Sequence, residues 1–208
     1  SNEVDSQRSR LSDFSAGDLV LVRNANDKLL GSAYMDPDSL ICARMFAPGE
    51  QCAMDIPFFT ARLEVALALR EAVFEKPFYR LAYGDSDTLP GLVIDRFDKF
   101  LVLQLNNAGL ERYREPLLAA LVATLKPQGI LLRADSRSRR EQGLSSDTAV
   151  VYGEVPQHVA LEENGVQFLA PVFEGQKTGW FYDHRMSRAR LPHWVKGKSV
   201  LDVYSYIG

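Results

Sequence analysis

What is scarce in this chain narrows it first. Of its 208 residues only two are cysteines and three are histidines. Cys42 and Cys52 lie ten positions apart with no further Cys or His at metal-ligand spacing. A disulfide framework or a zinc site is therefore not expected, and both thiols read as reduced core residues of a cytoplasmic protein. His158, His184 and His193 share no metal-binding spacing and are assigned no chemistry. No apolar run approaches the roughly 20 residues of a bilayer span. Positive charge is not in excess either: 24 Lys and Arg face 27 Asp and Glu, a net charge of −3, with a pI of about 5.7. Without a global basic field, any contact with nucleic acid must come from a local patch. No internal repeat and no low-complexity linker interrupt the chain. Its first residues, Ser1 to Arg8, have neither an initiator Met nor an apolar signal segment, and the expectation is a cut end.

What is present is ordinary globular material, 46% hydrophobic and 25% charged, enough for one large or two small domains. Residues 17–46 read as three short strands, Asp18–Arg23, Lys28–Tyr34 and Leu40–Phe46, joined by the polar turns at 24–27 and 36–39. Three strands alone are marginal, so this unit must pack on the rest of the chain or be part of a larger barrel. Phe58 to Glu75 has apolar residues at helical spacing, with Thr60 as N-cap and Pro77 beyond its end. Phe78–Tyr83 is a strand, and Leu92–Phe97 with Phe100–Asn106 forms a hairpin across Asp98-Lys99. A helix over Arg112–Leu125 comes next, then strands at Gly129–Asp135 and Thr148–Gly153. The order strand–strand–strand–helix–strand–strand predicts a compact α+β sandwich. His158–Glu163 and Val166–Val172 flank Asn164-Gly165, the strongest short hairpin signal in the chain. A loop with Lys177 leads to a helix starting near Asp183, whose carboxylate can cap it and which Pro192 ends or kinks. Gly197–Gly208 reads as a strand running into a glycine turn, built on Val200, Leu201 and Val203.

Several motifs invite chemistry. Gly175-Gln-Lys-Thr-Gly179 suggests a phosphate loop, but that loop needs glycine directly before the lysine, and Gln176 intervenes. Arg133-Ala-Asp-Ser-Arg-Ser-Arg-Arg140 places four arginines in eight residues. Arginine suits phosphate because its planar fork donates bidentately, although such a run is also what a solvated loop looks like. Neither thiol has an adjacent His or helix N-terminus to lower its pKa, so neither reads as a nucleophile. Asp85 and Asp87 sit in a Gly/Pro-flanked stretch where an Asx-type turn is the expected role.

Four motifs occur in order: Arg80-Leu-Ala-Tyr-Gly-Asp-Ser-Asp-Thr-Leu-Pro-Gly-Leu-Val-Ile-Asp-Arg96, Asp135-Ser-Arg-Ser-Arg-Arg-Glu-Gln-Gly143, Gly175-Gln-Lys-Thr-Gly-Trp-Phe-Tyr-Asp183 and Leu201-Asp-Val-Tyr-Ser-Tyr-Ile-Gly208. Together they resemble the RlmI-like S-adenosylmethionine-dependent methyltransferases of the large-subunit rRNA cytosine-C5 type. The resemblance implies an N-terminally truncated PUA-like domain at 1–56 and a central α+β domain at 57–155. It also implies that 156–208 is the hairpin and the start of a Rossmann-like methyltransferase domain, cut short. The family's His-Pro-Trp motif is absent at the front, and its Asp-Pro-Pro motif and catalytic cysteine would lie past Gly208. By the same resemblance Asp202, Tyr204, Ser205, Tyr206 and Gly208 edge the S-adenosylmethionine pocket, and Lys177, Thr178, Asp183 and Arg185 close over it. Arg44, Arg133, Arg137, Arg139 and Arg140 become candidate contacts to ribosomal RNA. Cytosine C5 is a weak nucleophile, so these enzymes add a cysteine thiolate at C6. With no such thiolate here, the polypeptide is expected to be inactive and to bind cofactor weakly or not at all. No membrane partner is expected, and a homodimer is left open. Two other classes are carried: a non-catalytic RNA-binding module, and a methyltransferase of a non-rRNA substrate.

Overall fold

The computed structural model describes residues 4, 5 and 7–207. Its elements run β1 Leu19–Arg23, β2 Leu29–Met35, β3 Ala43–Pro48, α1 Ile56–Val73, β4 Phe78–Tyr83, β5 Leu92–Phe97, β6 Phe100–Leu105, α2 Ala108–Arg112, α3 Arg114–Leu125, β7 Gly129–Leu132, α4 Arg137–Glu141, β8 Ala149–Gly153, β9 His158–Glu163, β10 Val166–Pro171 and α5 Arg185–Val195. They make an antiparallel sheet β1-β2-β3, a five-stranded sheet β4-β5-β6-β7-β8, and the hairpin β9-β10. The β6–β7 pairing is parallel, and the others in the larger sheet are antiparallel.

Alternation along the strands sorts the larger sheet into two faces. Leu81, Leu92, Ile94, Leu101, Leu103, Leu105, Ile130 and Leu132 face one core, which α1 fills with Phe59, Leu63 and Ala66, and α3 with Leu117, Ala120 and Leu121. Phe97, Val102 and Leu131 face the other side, against Val159, Leu161, Ala170, Val172 and Trp180 of the hairpin unit. The molecule is therefore layered as helices, sheet, hairpin. The first core also takes in Tyr34, Phe46 and Ala47 from the N-terminal sheet, so these three strands do pack on the rest of the chain, as their marginal size requires. Gly109 makes that close docking feasible, since a Cβ there would stand 2.4 Å from the Tyr34 ring.

Sequence and structure differ at several places. Asp55, not Thr60, caps α1, accepting from the Phe58 amide at 2.9 Å with Pro57 just inside the helix, so the helix covers 56–73 rather than 58–75. The helix expected at 112–125 begins earlier, capped by Asn107, and breaks at Tyr113 into α2 and α3. The arginine run, for which a solvated loop is the alternative to phosphate contact, forms the short helix α4 over Arg137–Glu141. β3 starts after Cys42 instead of enclosing it, and β7 ends at Leu132. Asp183 gives α5 no cap, and Pro192 lies inside the helix without ending it. The 158–172 hairpin forms as expected, with Asn164 and Gly165 both at positive φ, 53° and 79°. The strand expected in 197–208 does not form. A strand needs a neighbour for its backbone groups, and 198–205 is exposed and pairs with no strand among the described residues.

Candidate functional site

The loop Gly175–Phe181 follows the hairpin and lies against the sheet face that carries Arg80 and Asp95. These two stand directly opposite one another on β4 and β5. Asp95 is fully buried and receives a bidentate pair from Arg80, Nε at 2.8 Å and Nη2 at 2.9 Å. Burial works against the Arg80 charge, but the Asp95 hydrogen bonds and charge prevail and raise its pKa above the ordinary arginine value. The second Asp95 oxygen also accepts from the Thr178 hydroxyl, itself fully buried. Thr178 is thus held beneath the loop by the sheet.

The next residue back faces outward. Lys177 sits at φ 54°, a left-handed conformation that costs a non-glycine residue about 1 kcal/mol and needs support from its surroundings. Its ammonium lies 4.3 Å from the Phe181 ring centroid and 3.6 Å from Asp183. Phe181 meets Tyr206 edge-on at 5.6 Å. Tyr206 closes the group, its phenol oxygen accepting from the Gln176 amide at 2.9 Å. Burial raises the Tyr206 pKa, and the Gln176 hydrogen bond pulls it back part of the way. Glycine is required at 175, because a Cβ would stand 2.3 Å from the Pro171 carbonyl oxygen. Lys177, Thr178, Asp183 and Tyr206 therefore converge on one loop.

Arg185 does not join them. It lies in a second cluster with Glu163, donating from Nε at 3.4 Å, to the Phe78 carbonyl, and stacking 4.5 Å over Phe74. Arg188 also pairs with Glu163, and Trp180 Nε1 donates to it at 3.1 Å. Burial pushes the Glu163 carboxyl up, but Arg188, Trp180 and Arg185 outweigh it and hold its pKa below 4.5. Asp202, Tyr204 and Ser205 are exposed and make no hydrogen bond among the described residues. Gly208 lies outside the described residues.

The arginines divide in two. Arg133 is buried, bonded to Asp135 and, from Nη1, to the Val172 and Gly175 carbonyls at 2.8 and 3.0 Å. Arg139 is 1% exposed. It donates to the Ser145 and Leu105 carbonyls and to Glu111. Both work inside the fold, with no free fork for an external phosphate. Arg137 and Arg140 are exposed, the first paired with Glu141 at 2.7 Å and the second donating to the Asp135 carbonyl at 3.0 Å. Arg44 is half-buried on β3 with no side-chain hydrogen bond among the described residues, close enough to Asp36 to oppose the rise that burial gives that carboxyl.

Sequence reasoning missed Asp95, Arg80 and Glu163 as organisers of the site. Asp95 within an apolar strand was the available signal, since a charge on a core-facing strand implies a buried partner. The two thiols are free, Cys42 buried and Cys52 half-buried. No group of His, Cys, Asp and Glu among the described residues could hold a metal. No helix among them is long and apolar enough to cross a membrane.

Comparison with known proteins adds three findings. A family model for a PUA-like domain matches residues 1–48. Ribosomal RNA large subunit methyltransferase I of Aliivibrio fischeri (strain ATCC 700601 / ES114) is 39% identical over 196 residues, 92% of this chain and 50% of that protein. The protein of the same name from Pseudoalteromonas translucida is 37% identical over equal shares. The chain spans about half the length of the curated relatives it matches. A putative SAM-dependent methyltransferase from Streptococcus mutans superposes with a TM-score of 0.73 at 22% identity, over 88% of this chain and 48% of its own. A putative methyltransferase complexed with SAH superposes with a TM-score of 0.71, also at 22% identity, over 85% of this chain and 45% of its own. The chain is thus related to the large-subunit rRNA methyltransferases I over nearly all of its own length.

Proposed function

We propose that this chain is the front half of an S-adenosylmethionine-dependent methyltransferase acting on large-subunit ribosomal RNA. The observation that carries the reading is the 39% identity over 92% of the chain to a protein named for that activity. In this reading 1–56 and 57–155 recognise RNA, and 156–208 forms one edge of the methyltransferase domain. Arg137 and Arg140 are exposed and Arg44 is half-buried; each offers a positive charge of the kind that phosphate contacts use.

The residues present suit one side of the cofactor. Phe181 and Tyr206 offer aromatic surface, and Asp202 offers a carboxylate with no hydrogen-bond partner among the described residues. Both are groups that a sulfonium cation and its amino-acid portion favour. When bound, S-adenosylmethionine supplies an electrophilic methyl group. This chain's contribution is to orient: Thr178 and Gln176 fix the loop, Lys177 and Asp183 set charge at its rim, and Tyr204, Ser205 and Tyr206 extend the edge. Arg185 acts from beneath, through Glu163. The target atom we assign is cytosine C5, which needs a thiolate from outside this chain, so the chain by itself is inactive and holds cofactor weakly.

The test uses the complete reading frame. Incubated with radiolabelled S-adenosylmethionine and protein-free large-subunit rRNA from a strain lacking the gene, it should label a single cytosine. Normal cofactor binding without label would break the link to rRNA, and label on another base would refute the C5 assignment.

A further inference from the structure

The loop that carries Lys177 is gripped by the central sheet as well as by its own domain. Residues 176, 177 and 178 each have a different support. The Gln176 amide donates to Tyr206, Lys177 lies over Phe181, and the Thr178 hydroxyl donates to Asp95. Only the last of these crosses to the five-stranded sheet, and it ends on a fully buried carboxylate already fixed by the Arg80 fork. Arg133 adds a second crossing, from the end of β7 to the carbonyls of Val172 and Gly175. A left-handed lysine persists only where its neighbours leave it no alternative. Gly179, at φ 105°, turns the chain immediately after Thr178, so the threonine is the fixed point of the bend.

We propose that Asp95, acting through Thr178, is a positioning residue for Lys177 and the loop that borders the cofactor. The central domain is thereby a structural part of the cofactor site as well as a candidate RNA-recognition unit. The inference rests on the methyltransferase reading for the identity of the ligand and on the Asp95–Thr178 contact for everything else. It predicts that the loop loosens when the threonine hydroxyl is lost, although valine fills the same volume.

The experiment compares wild type, Thr178→Val and Thr178→Ser in the complete reading frame. Amide hydrogen exchange is followed at 176–180, S-adenosylhomocysteine binding by calorimetry, and rRNA binding by filter retention. Thr178→Val should speed exchange at 176–180 and weaken S-adenosylhomocysteine by about tenfold, the effect of losing one hydrogen bond to a charged acceptor. rRNA binding should be unchanged, and Thr178→Ser should restore both affected readouts. Unchanged exchange in Thr178→Val overturns the anchoring. Faster exchange with undiminished S-adenosylhomocysteine affinity overturns the link between loop and cofactor. A wild-type protein that binds no S-adenosylhomocysteine refutes the methyltransferase reading and the cofactor half of this inference, while the exchange pattern alone still decides whether Asp95 anchors the loop.

Discussion

Asn107 Nδ2 donates to the Tyr34 phenol at 2.8 Å, joining the N-terminal sheet to the cap of α2. The same amide nitrogen reaches the Pro90 carbonyl at 3.0 Å, the Asn107 oxygen accepts from the Leu110 amide at 2.9 Å, and the Tyr34 hydroxyl donates to Pro90. One asparagine thus completes a helix cap and a buried joint between two sheets. Asn107→Ala should cost about 2–3 kcal/mol, the sum of a lost cap and the lost buried hydrogen bonds to Tyr34 and Pro90. Tyr34→Phe should cost only about 1 kcal/mol, because Asn107 still serves Pro90. Urea denaturation followed by circular dichroism distinguishes the two, and equal costs would refute the ranking.

Burial raises the Tyr34 pKa above its ordinary value of 10.0, so the folded state disfavours the phenolate. This contribution to stability is therefore complete below pH about 10 and is lost as pH climbs through the folded-state pKa. Tyr34→Phe should flatten the alkaline limb of the stability profile. The check is ΔG of unfolding in urea at two alkaline pH values for both proteins.

Glu163 titrates in the opposite sense. Its folded pKa lies below 4.5, so its contribution is present above that pH and fades as pH falls through the folded value. Glu163→Gln should cost about 2 kcal/mol at neutral pH, less than a fully buried pair because Arg185 and Arg188 keep some contact with water, and should remove part of the acid dependence. Thermal unfolding at neutral and mildly acidic pH measures both effects.

The four arginines should separate cleanly. Arg139→Ala takes the donor from the Leu105 and Ser145 carbonyls, and Arg133→Ala takes it from those of Val172 and Gly175, each costing about 2–3 kcal/mol. Arg137→Ala and Arg140→Ala should leave the melting temperature nearly unchanged and each lower the salt slope of rRNA binding by about 1 if it meets a phosphate. A flat slope in wild type would count against RNA as the ligand.

Much of the fold could be read from residue order. Alternating strands such as Leu92–Phe97 and the Asn164-Gly165 turn declare themselves locally, because their signals lie within a few residues of one another. Asp55 was harder to see as a cap because Thr60, also a capping type, stands closer to the apolar periodicity. The helix in the arginine run has no apolar stripe of its own; Arg139 is buried partly through hydrogen bonds to Leu105 and Glu111, about 30 residues upstream and outside any local window. The same limit hid Asp95. Its partner Thr178 is 83 residues away, and no spacing rule connects them. The strand expected around Val200 does not form, because an apolar pattern cannot supply a neighbouring strand.

The parallel pairing of β6 with β7 bears on how the chain acquires its shape. β4, β5 and β6 follow one another as hairpins and need only short loops to close, whereas β7 can align with β6 only after the intervening α2 and α3 have crossed over the sheet. Closing that longer loop incurs its entropy cost before any pairing compensates it. The three-stranded meander should therefore assemble early and the β7 edge late. Destabilising substitutions at Ile130 should accelerate unfolding, while those at Ile94 should slow folding.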